Sequence, residues 1–239
     1  AVSADIADFR LPLLQVRYES QAQLDHISGF VMNSPLGGMI GTDLARFDFS
    51  GPAATSGLLT VPLGATPGEL PVEGSIDLHG NRFFDPRSEV TLEAITGHLS
   101  YDRNGVKASG LDAAFRGKAA LLDLFASKQG SEKFRVNMRG NFAVKDILPP
   151  YLRHTYPFLD GMQGESEWLV SVVTSTAPSG GDAPVNLIIE SDLKGVTLDF
   201  PEPLYKPAGA SWPFHLNYSL SGPKRLLDID LAGRVSYRL

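Results

Sequence analysis

Apolar and polar residues alternate along much of this chain. This period of two is typical of antiparallel β-strands that bury one face and leave the other in water. The clearest runs cover residues 134–144, 185–189, 214–220 and 227–239. In the last run Leu227 and Ile229 alternate with Asp228 and Asp230. The pattern predicts a mostly β protein, in which the run over 227–239 would form one long strand if it is unbroken.

Local signals between these runs predict turns, a bulge and one helix. Residues 102–105, Asp-Arg-Asn-Gly, predict a hairpin turn. A slip of the alternation around Gly195 predicts a β-bulge between Leu193 and Val196. Loops are expected over residues 62–68 and 176–182, where Gly and Pro cluster.

The one helical signal covers residues 146–159. Asp146 is a plausible N-cap, Pro149 and Pro150 fit a first turn, and Pro157 limits the helix length. Such a helix fits two roles equally: a cap over an apolar surface, or an ordinary connector packed on a sheet.

Four apolar-x-Gly segments recur at a nearly constant spacing of 67 to 69 residues. Their glycines are Gly29, Gly97, Gly164 and Gly233. The spacing is either a chance result of the high glycine content or the trace of an internal repeat. A repeat would divide the chain into sub-repeats 1–70, 71–145 and 146–239 and indicate a stacked, elongated β architecture.

Composition excludes several classes of protein. With 43% hydrophobic and 20% charged residues among 239, the chain is not disordered. The net charge of −6 argues against a nucleic-acid partner, which requires a concentrated basic face. The absence of cysteine excludes disulfides and a thiol nucleophile. The first residues, Ala-Val-Ser-Ala, do not resemble a signal peptide, so we expect a piece of a longer protein.

Catalytic and metal-binding motifs are not evident. The five histidines are scattered without metal-ligand spacing, and no glycine-rich phosphate loop or nucleophile motif occurs. Asp228 and Asp230 share a strand face with Arg234 and Arg238, as expected for a solvated surface. We therefore expect no catalytic residue, no metal and no cofactor.

One segment is distinctive. Residues 191–208, SDLKGVTLDFPEPLYKPA, resemble the SDLxGVxLxLPxPLGKPA segment of the YhdP family, a branch of the AsmA-like proteins of Gram-negative bacteria. Residues 92–119 resemble the family's recurring strand unit, and residues 159–168 its strand start after a short helix. Tyr205 stands where the family usually has Gly, and Phe200 where Leu is common.

The resemblance implies a fold and a role. It implies that residues 1–239 form a single elongated segment of a longer protein. In this segment a twisted antiparallel sheet, with one or two short helices, curls into an open groove. The implied role is non-enzymatic movement of phospholipid through the periplasm between the inner and outer membranes. The full-length protein would be anchored in the inner membrane and would meet inner- and outer-membrane proteins or lipids at its ends.

The alternating apolar residues would then line the groove and bind acyl chains, which cost about 0.8 kcal/mol per CH₂ to expose to water. The expected lining residues are Val136, Met138, Phe142, Trp168, Val170, Val172, Leu187, Ile189, Leu216, Tyr218, Ile229, Leu231 and Val235. Alternation alone fits a closed sandwich or barrel core equally well. The rival prediction is therefore a structural module that binds protein or glycan. An enzyme is disfavoured because no nucleophile–base pair is visible.

Overall fold

The protein is described by a computed structural model that covers residues 1–6, 13–26, 47–63, 71–148, 154–155, 157–176, 183–221 and 226–238. Its strands are β1 (Val2–Ile6), β2 (Leu13–Gln23), β3 (Asp48–Ser50), β4 (Pro52–Pro62), β5 (Val72–Asp85), β6 (Val90–Asp102), β7 (Gly105–Phe115), β8 (Lys118–Ser127), β9 (Glu132–Ala143), β10 (Met162–Ser175), β11 (Val185–Ser191), β12 (Val196–Leu198), β13 (Phe214–Ser219), β14 (Leu227–Leu231) and β15 (Val235–Arg238). Two short helical elements, α1 (Val144–Ile147) and a 3₁₀ helix (Pro157–Gly161), lie between β9 and β10.

Within the described residues, the 15 strands belong to one antiparallel sheet that is not closed, so the predicted mostly β, antiparallel fold is confirmed. The chain divides into two compact units. The first comprises 1–115 and 122–130, and its strands run in the order β1-β2-β4-β5-β6-β7, with β3 on β5. The second comprises 116–121 and 131–239, and its order is β9-β10-β11-β13-β14-β15, with β12 on β10.

The hairpin predicted at residues 102–105 is present. β6 ends at Asp102 and β7 begins at Gly105, and these two residues are paired. One carboxylate oxygen of Asp102 accepts hydrogen bonds from the backbone N–H groups of Asn104 (2.6 Å) and Gly105 (3.0 Å). This side chain therefore closes the turn locally, as aspartate does in turns generally.

The run over 227–239 is broken and does not form one long strand. A tight turn after Leu231 folds the segment into a hairpin of β14 and β15. Ala232 and Gly233 both have positive φ, at 53° and 63°, and the N–H of Arg234 bonds to the carbonyl of Leu231 at 2.9 Å. Alternation survives the reversal because residues on the two arms pair in register, so the sequence pattern does not reveal the turn.

The helix predicted over 146–159 is also not observed as one element. α1 begins after Ala143, which provides no side-chain cap, and Asp146 lies within the helix instead of capping it. α1 ends at Ile147, before the two prolines at 149 and 150, and the 3₁₀ helix follows at Pro157–Gly161. Residues 149–153 and 156 lie outside the described residues.

The bulge predicted between Leu193 and Val196 is a connection between two strands. β11 ends at Ser191, and β12 begins at Val196 and pairs with the start of β10, a different part of that strand from the one that β11 pairs with. Leu193 and Gly195 have φ of 53° and 99°, which accommodates the change of direction. The predicted loops at 62–68 and 176–182 lie mostly outside the described residues.

The predicted sub-repeats stay a prediction. Gly97 and Gly164 are alike in one respect: both lie in strands and have positive φ, at 139° and 122°. Gly233 lies in the β14–β15 turn, and Gly29 is outside the described residues.

Candidate functional site

The residues predicted as a lining share one face of the second unit. Directly paired residues of antiparallel strands project to the same side, and so do residues two apart on one strand. The pairings place them in three rows, Val136–Val172–Leu187–Tyr218, Met138–Val170–Ile189–Leu216–Ile229 and Trp168–Ser191–Phe214–Leu231–Val235, with Phe142 opposite Ser166 in the next row. The opposite face of the same strands is mostly polar. One of its rows runs through Glu190, His215 and Asp230.

Part of this face forms a core of side chains that are not exposed to solvent. Trp168 and Phe142 are both 0% exposed. The indole Nε1 of Trp168 donates a hydrogen bond to the carbonyl oxygen of Phe142 at 3.0 Å, and its ring meets that of Phe214 edge-on, with centroids 6.0 Å apart. Ile189 and Leu216 in the neighbouring row are also 0% exposed. This part of the face is closed to solvent.

The distinctive 191–208 segment is held beside this core by a buried lysine. Lys206 is fully buried, and its Nζ donates to the carbonyl oxygens of Leu193 (2.8 Å), Val196 (2.7 Å) and Pro207 (3.3 Å). Burial lowers the pKa of Lys206, because the charged form loses hydration. The three carbonyls compensate for that loss, so Lys206 fixes the connection from β11 through β12.

The accessible part of the face lies on β9 and β10. Val136, Met138, Val170 and Val172 are half-buried, as is Val235 on β15. The other predicted lining residues are buried: Phe142, Trp168, Leu187, Ile189, Leu216, Tyr218, Ile229 and Leu231. The structure thus brings the whole set onto one face but leaves only its β9–β10 edge and Val235 accessible. Contact with acyl chains stays a prediction for all of them.

A second apolar face lies in the first unit, and none of its residues was predicted as a lining. Its rows include Ala4–Val16–Leu59–Val72 and Ser20–Thr55–Ile76–Leu99–Ala108. Val16, Leu59, Val72, Ile76 and Leu99 are all half-buried rather than enclosed. The alternation of Leu14, Val16 and Tyr18 was a signal that could have identified this face from the sequence.

The first unit also contains an open cavity of about 910 Å³. Residues of β1, β2 and β4–β8 line it, and we call it the trough. Its volume falls within the range of about 300–1,000 Å³ that is usual for small-molecule sites. Ligand sites of this kind are concave, mostly apolar and fitted with few polar groups.

Two tyrosines lie on the floor of the trough. Tyr18 on β2 and Tyr101 on β6 extend toward each other across β4 and β5. A row of paired residues runs Val2–Tyr18–Gly57–Gly74–Tyr101–Val106. The hydroxyl groups of Tyr18 and Tyr101 are hydrogen-bonded to each other over the two glycines. A Cβ on Gly57 would lie 2.5 Å from the Tyr18 hydroxyl oxygen, and one on Gly74 would lie 2.4 Å from that of Tyr101. Burial, with the hydrogen bond to Tyr101, raises the pKa of Tyr18.

Within the described ranges, no cluster of three or more His, Cys, Asp or Glu side chains is arranged to hold a metal ion. Among the helices of those same residues, none has the length and apolar character needed to cross a bilayer.

These observations define a class of protein, an antiparallel sheet that does not close on itself. Each of its two units has one apolar face, and these faces are partly buried and partly accessible to solvent. The sequence profile described as "YhdP protein" matches residues 1–239, so the chain belongs to the YhdP family. The chain is also 25% identical, over 238 residues, to a protein of Escherichia coli (strain K12) named "Intermembrane phospholipid transporter YhdP". That match covers 98% of this chain and 18% of the relative, so the chain spans less than a fifth of the relative's length. No solved structure gives a significant match.

Proposed function

We propose that this chain is a non-enzymatic segment of a phospholipid transporter of the Gram-negative cell envelope, and that acyl chains lie on its accessible apolar faces. The relative's name, which assigns phospholipid transport between membranes to that protein, supports the class of cargo. The observation that carries the proposal is the half-buried aliphatic face beside the trough in the first unit.

The physical argument concerns the cost of wetting a lipid. Each CH₂ group moved from water to an apolar surface is stabilised by about 0.8 kcal/mol, without any directional contact. Side chains such as Val16, Leu59 and Val72 supply such a surface, while the opposite face presents polar side chains to water. A continuous surface of this kind lets a chain shift along it without losing much contact free energy.

Membership of the family supports the finer parts of the proposal. The apolar faces form an open groove in the periplasm, along which phospholipid passes between the inner and outer membranes. The full-length protein is anchored in the inner membrane and meets proteins or lipids of both membranes at its ends. No cofactor takes part.

The closed part of the second unit favours a second role for that region. Trp168, Ile189 and Leu216 are fully buried, as in the core of an interaction or scaffold module. We propose that this core holds the segment rigid, and that the half-buried Met138 and its neighbours on β9 and β10 bear the lipid contacts of this unit.

Photo-crosslinking tests which faces touch lipid. A photoreactive residue at Leu59 or Met138, in the purified chain mixed with phosphatidylethanolamine–phosphatidylglycerol vesicles, is expected to crosslink to phospholipid. The same residue at Thr60 or Arg139, the next position along each strand, faces the opposite side and serves as the control. Ile189, which is 0% exposed, is expected to crosslink less than Met138. Equal crosslinking from both faces, or none from Leu59 and Met138, would refute the proposal.

A simpler observation separates lipid carriage from the scaffold alternative. Organic extraction of the gently purified chain, followed by mass spectrometry, is expected to yield phospholipid. A lipid-free extract would favour an interaction module with a closed core.

A further inference from the structure

The hydrogen-bonded tyrosine pair of the trough lies between two rows of the same sheet face that carry no charge. The paired rows on either side of the Tyr18–Tyr101 row, Ala4–Val16–Leu59–Val72 and Ser20–Thr55–Ile76–Leu99–Ala108, contain no charged residue. Gly57 and Gly74 leave the space in which the two rings extend toward each other. The two hydroxyls therefore lie together within the trough, between aliphatic side chains.

Counting protons shows that this pair can bind a further group. Each phenol carries one donatable proton, so a mutual hydrogen bond uses one and leaves one. The Tyr101 hydroxyl also lies 3.5 Å from the carbonyl oxygen of Ser56, which is the outer limit of a hydrogen bond. The remaining proton is thus available to a better-placed acceptor in the trough.

The surroundings determine which acceptor fits. Arg17 and Lys107 also line the trough, but each is one position from a residue of the tyrosine row, so its side chain projects to the opposite face of the sheet, and the Ala1 ammonium donates to the carbonyl oxygen of Glu19. A phosphate or carboxylate at the tyrosines would therefore bring a full charge beside rows that offer no cation, and burying an unpaired charge is costly. A neutral carbonyl oxygen attached directly to an acyl chain matches both the free donor and the flanking aliphatic rows. Such a group is the ester carbonyl of a glycerolipid.

We propose that Tyr18 and Tyr101 form a binding point for the ester carbonyl of a diacyl lipid, whose acyl chains lie over the aliphatic rows beside Leu59 and Ile76. This inference rests on the proposed function. It adds that the trough selects lipids by their ester linkage, in addition to accepting any long apolar chain.

The test compares two lipids that differ only in that linkage: a diester phosphatidylethanolamine and the diether phosphatidylethanolamine of equal chain length, which has no ester carbonyl. The purified chain is expected to retain the diester lipid about two- to tenfold more than the diether lipid, as one neutral hydrogen bond predicts. The double variant Tyr18→Phe with Tyr101→Phe keeps both rings over the glycines and is expected to bind both lipids equally. Tyr205→Phe, at an exposed tyrosine of the second unit, is the matched control and is expected to keep the preference.

The outcomes are distinguishable. Equal retention of the two lipids by the unaltered chain, or an undiminished preference in the double phenylalanine variant, overturns this inference while leaving lipid binding intact. Failure of the unaltered chain to retain either lipid overturns the proposed function and this inference with it. Circular dichroism of the double variant, expected to match that of the parent, separates a lost hydroxyl from a lost fold.

Discussion

Gly164 on β10 and Gly195 before β12 approach each other so closely that a Cβ on Gly164 would lie 2.3 Å from the carbonyl oxygen of Gly195. Both have positive φ, at 122° and 99°. A Cβ on Gly195 would in turn lie 2.2 Å from the carbonyl oxygen of Glu165. This contact brings β12 against β10 where Gly164 pairs with Val196, and it requires glycine on both sides.

Replacing Gly164 with alanine is therefore expected to destabilise the protein strongly. Left-handed backbone costs a residue with a Cβ about 1–2 kcal/mol, and forced overpacking adds about 1–3 kcal/mol. Chemical denaturation should show a drop in the free energy of unfolding of about 2–5 kcal/mol. Gly233→Ala is the control, since Gly233 has φ of 63° but open space where the alanine Cβ would lie. An equal loss in both variants would contradict the steric argument.

Lys206→Met is expected to lower the free energy of unfolding by about 2–4 kcal/mol. The variant keeps an apolar side chain of similar length but removes three ammonium hydrogen bonds, two of them to the buried carbonyl oxygens of Leu193 and Val196, and hydrogen bonds to a charged group are worth about 1.5–3 kcal/mol each. Lys194→Met, at an exposed lysine of the same segment, should change it little. The two variants can be compared by urea denaturation, and a neutral effect of Lys206→Met would show that the lysine is not needed to hold the segment.

Tyr18 predicts a loss of stability at alkaline pH. Its pKa is raised in the folded protein from the ordinary 10.0, so its contribution is fully present below pH 10.0. As the pH rises above 10.0 the unfolded chain loses this proton while the folded chain retains it, and the free energy of unfolding falls. The difference between the parent and Tyr18→Phe in unfolding free energy should shrink over this range. Tyr205→Phe should track the parent, and parallel curves for all three proteins would argue against a buried Tyr18 hydroxyl.

Trp168→Phe is expected to destabilise the second unit by about 1–3 kcal/mol. It leaves the buried carbonyl of Phe142 without its indole donor and removes part of a ring packed against Phe214. Trp212 is half-exposed and stacks under the guanidinium of Arg234, 4.3 Å from the ring centroid, so Trp212→Phe should cost less. Thermal unfolding followed by circular dichroism measures both, and a larger loss from Trp212 would contradict the assignment of the core.

Alternation correctly predicted which residues share a face. Val136, Met138 and Val170 project to one side because side chains alternate with a period of two in any strand, whatever its neighbours. The same rule hides the reversal at Ala232, since pairing in register places Ile229 and Tyr237 on one side of the hairpin. The alternation continues through the turn unchanged, so it cannot show where a strand reverses direction.

The helix prediction failed for a different reason. The stripe of apolar residues over 146–159 suits a helix, but α1 ends at Ile147, just before two consecutive prolines, the second of which lacks the N–H that a helix interior needs. The degree of burial could not be predicted from the sequence either. Nothing local distinguishes Ile189, fully buried, from Val172, half-buried, on the same face of neighbouring strands.

By itself the sequence determined the family and which residues of the second unit share a face, because both depend on residue order over short distances. The tertiary structure alone decided which parts of the apolar faces are closed and which are open. It also brought Tyr18 to Tyr101 over two glycines, and enclosed Lys206 among three carbonyls. Those contacts join residues that are distant in sequence or on different strands, and their geometry depends on strand order and register, which no short stretch of sequence encodes.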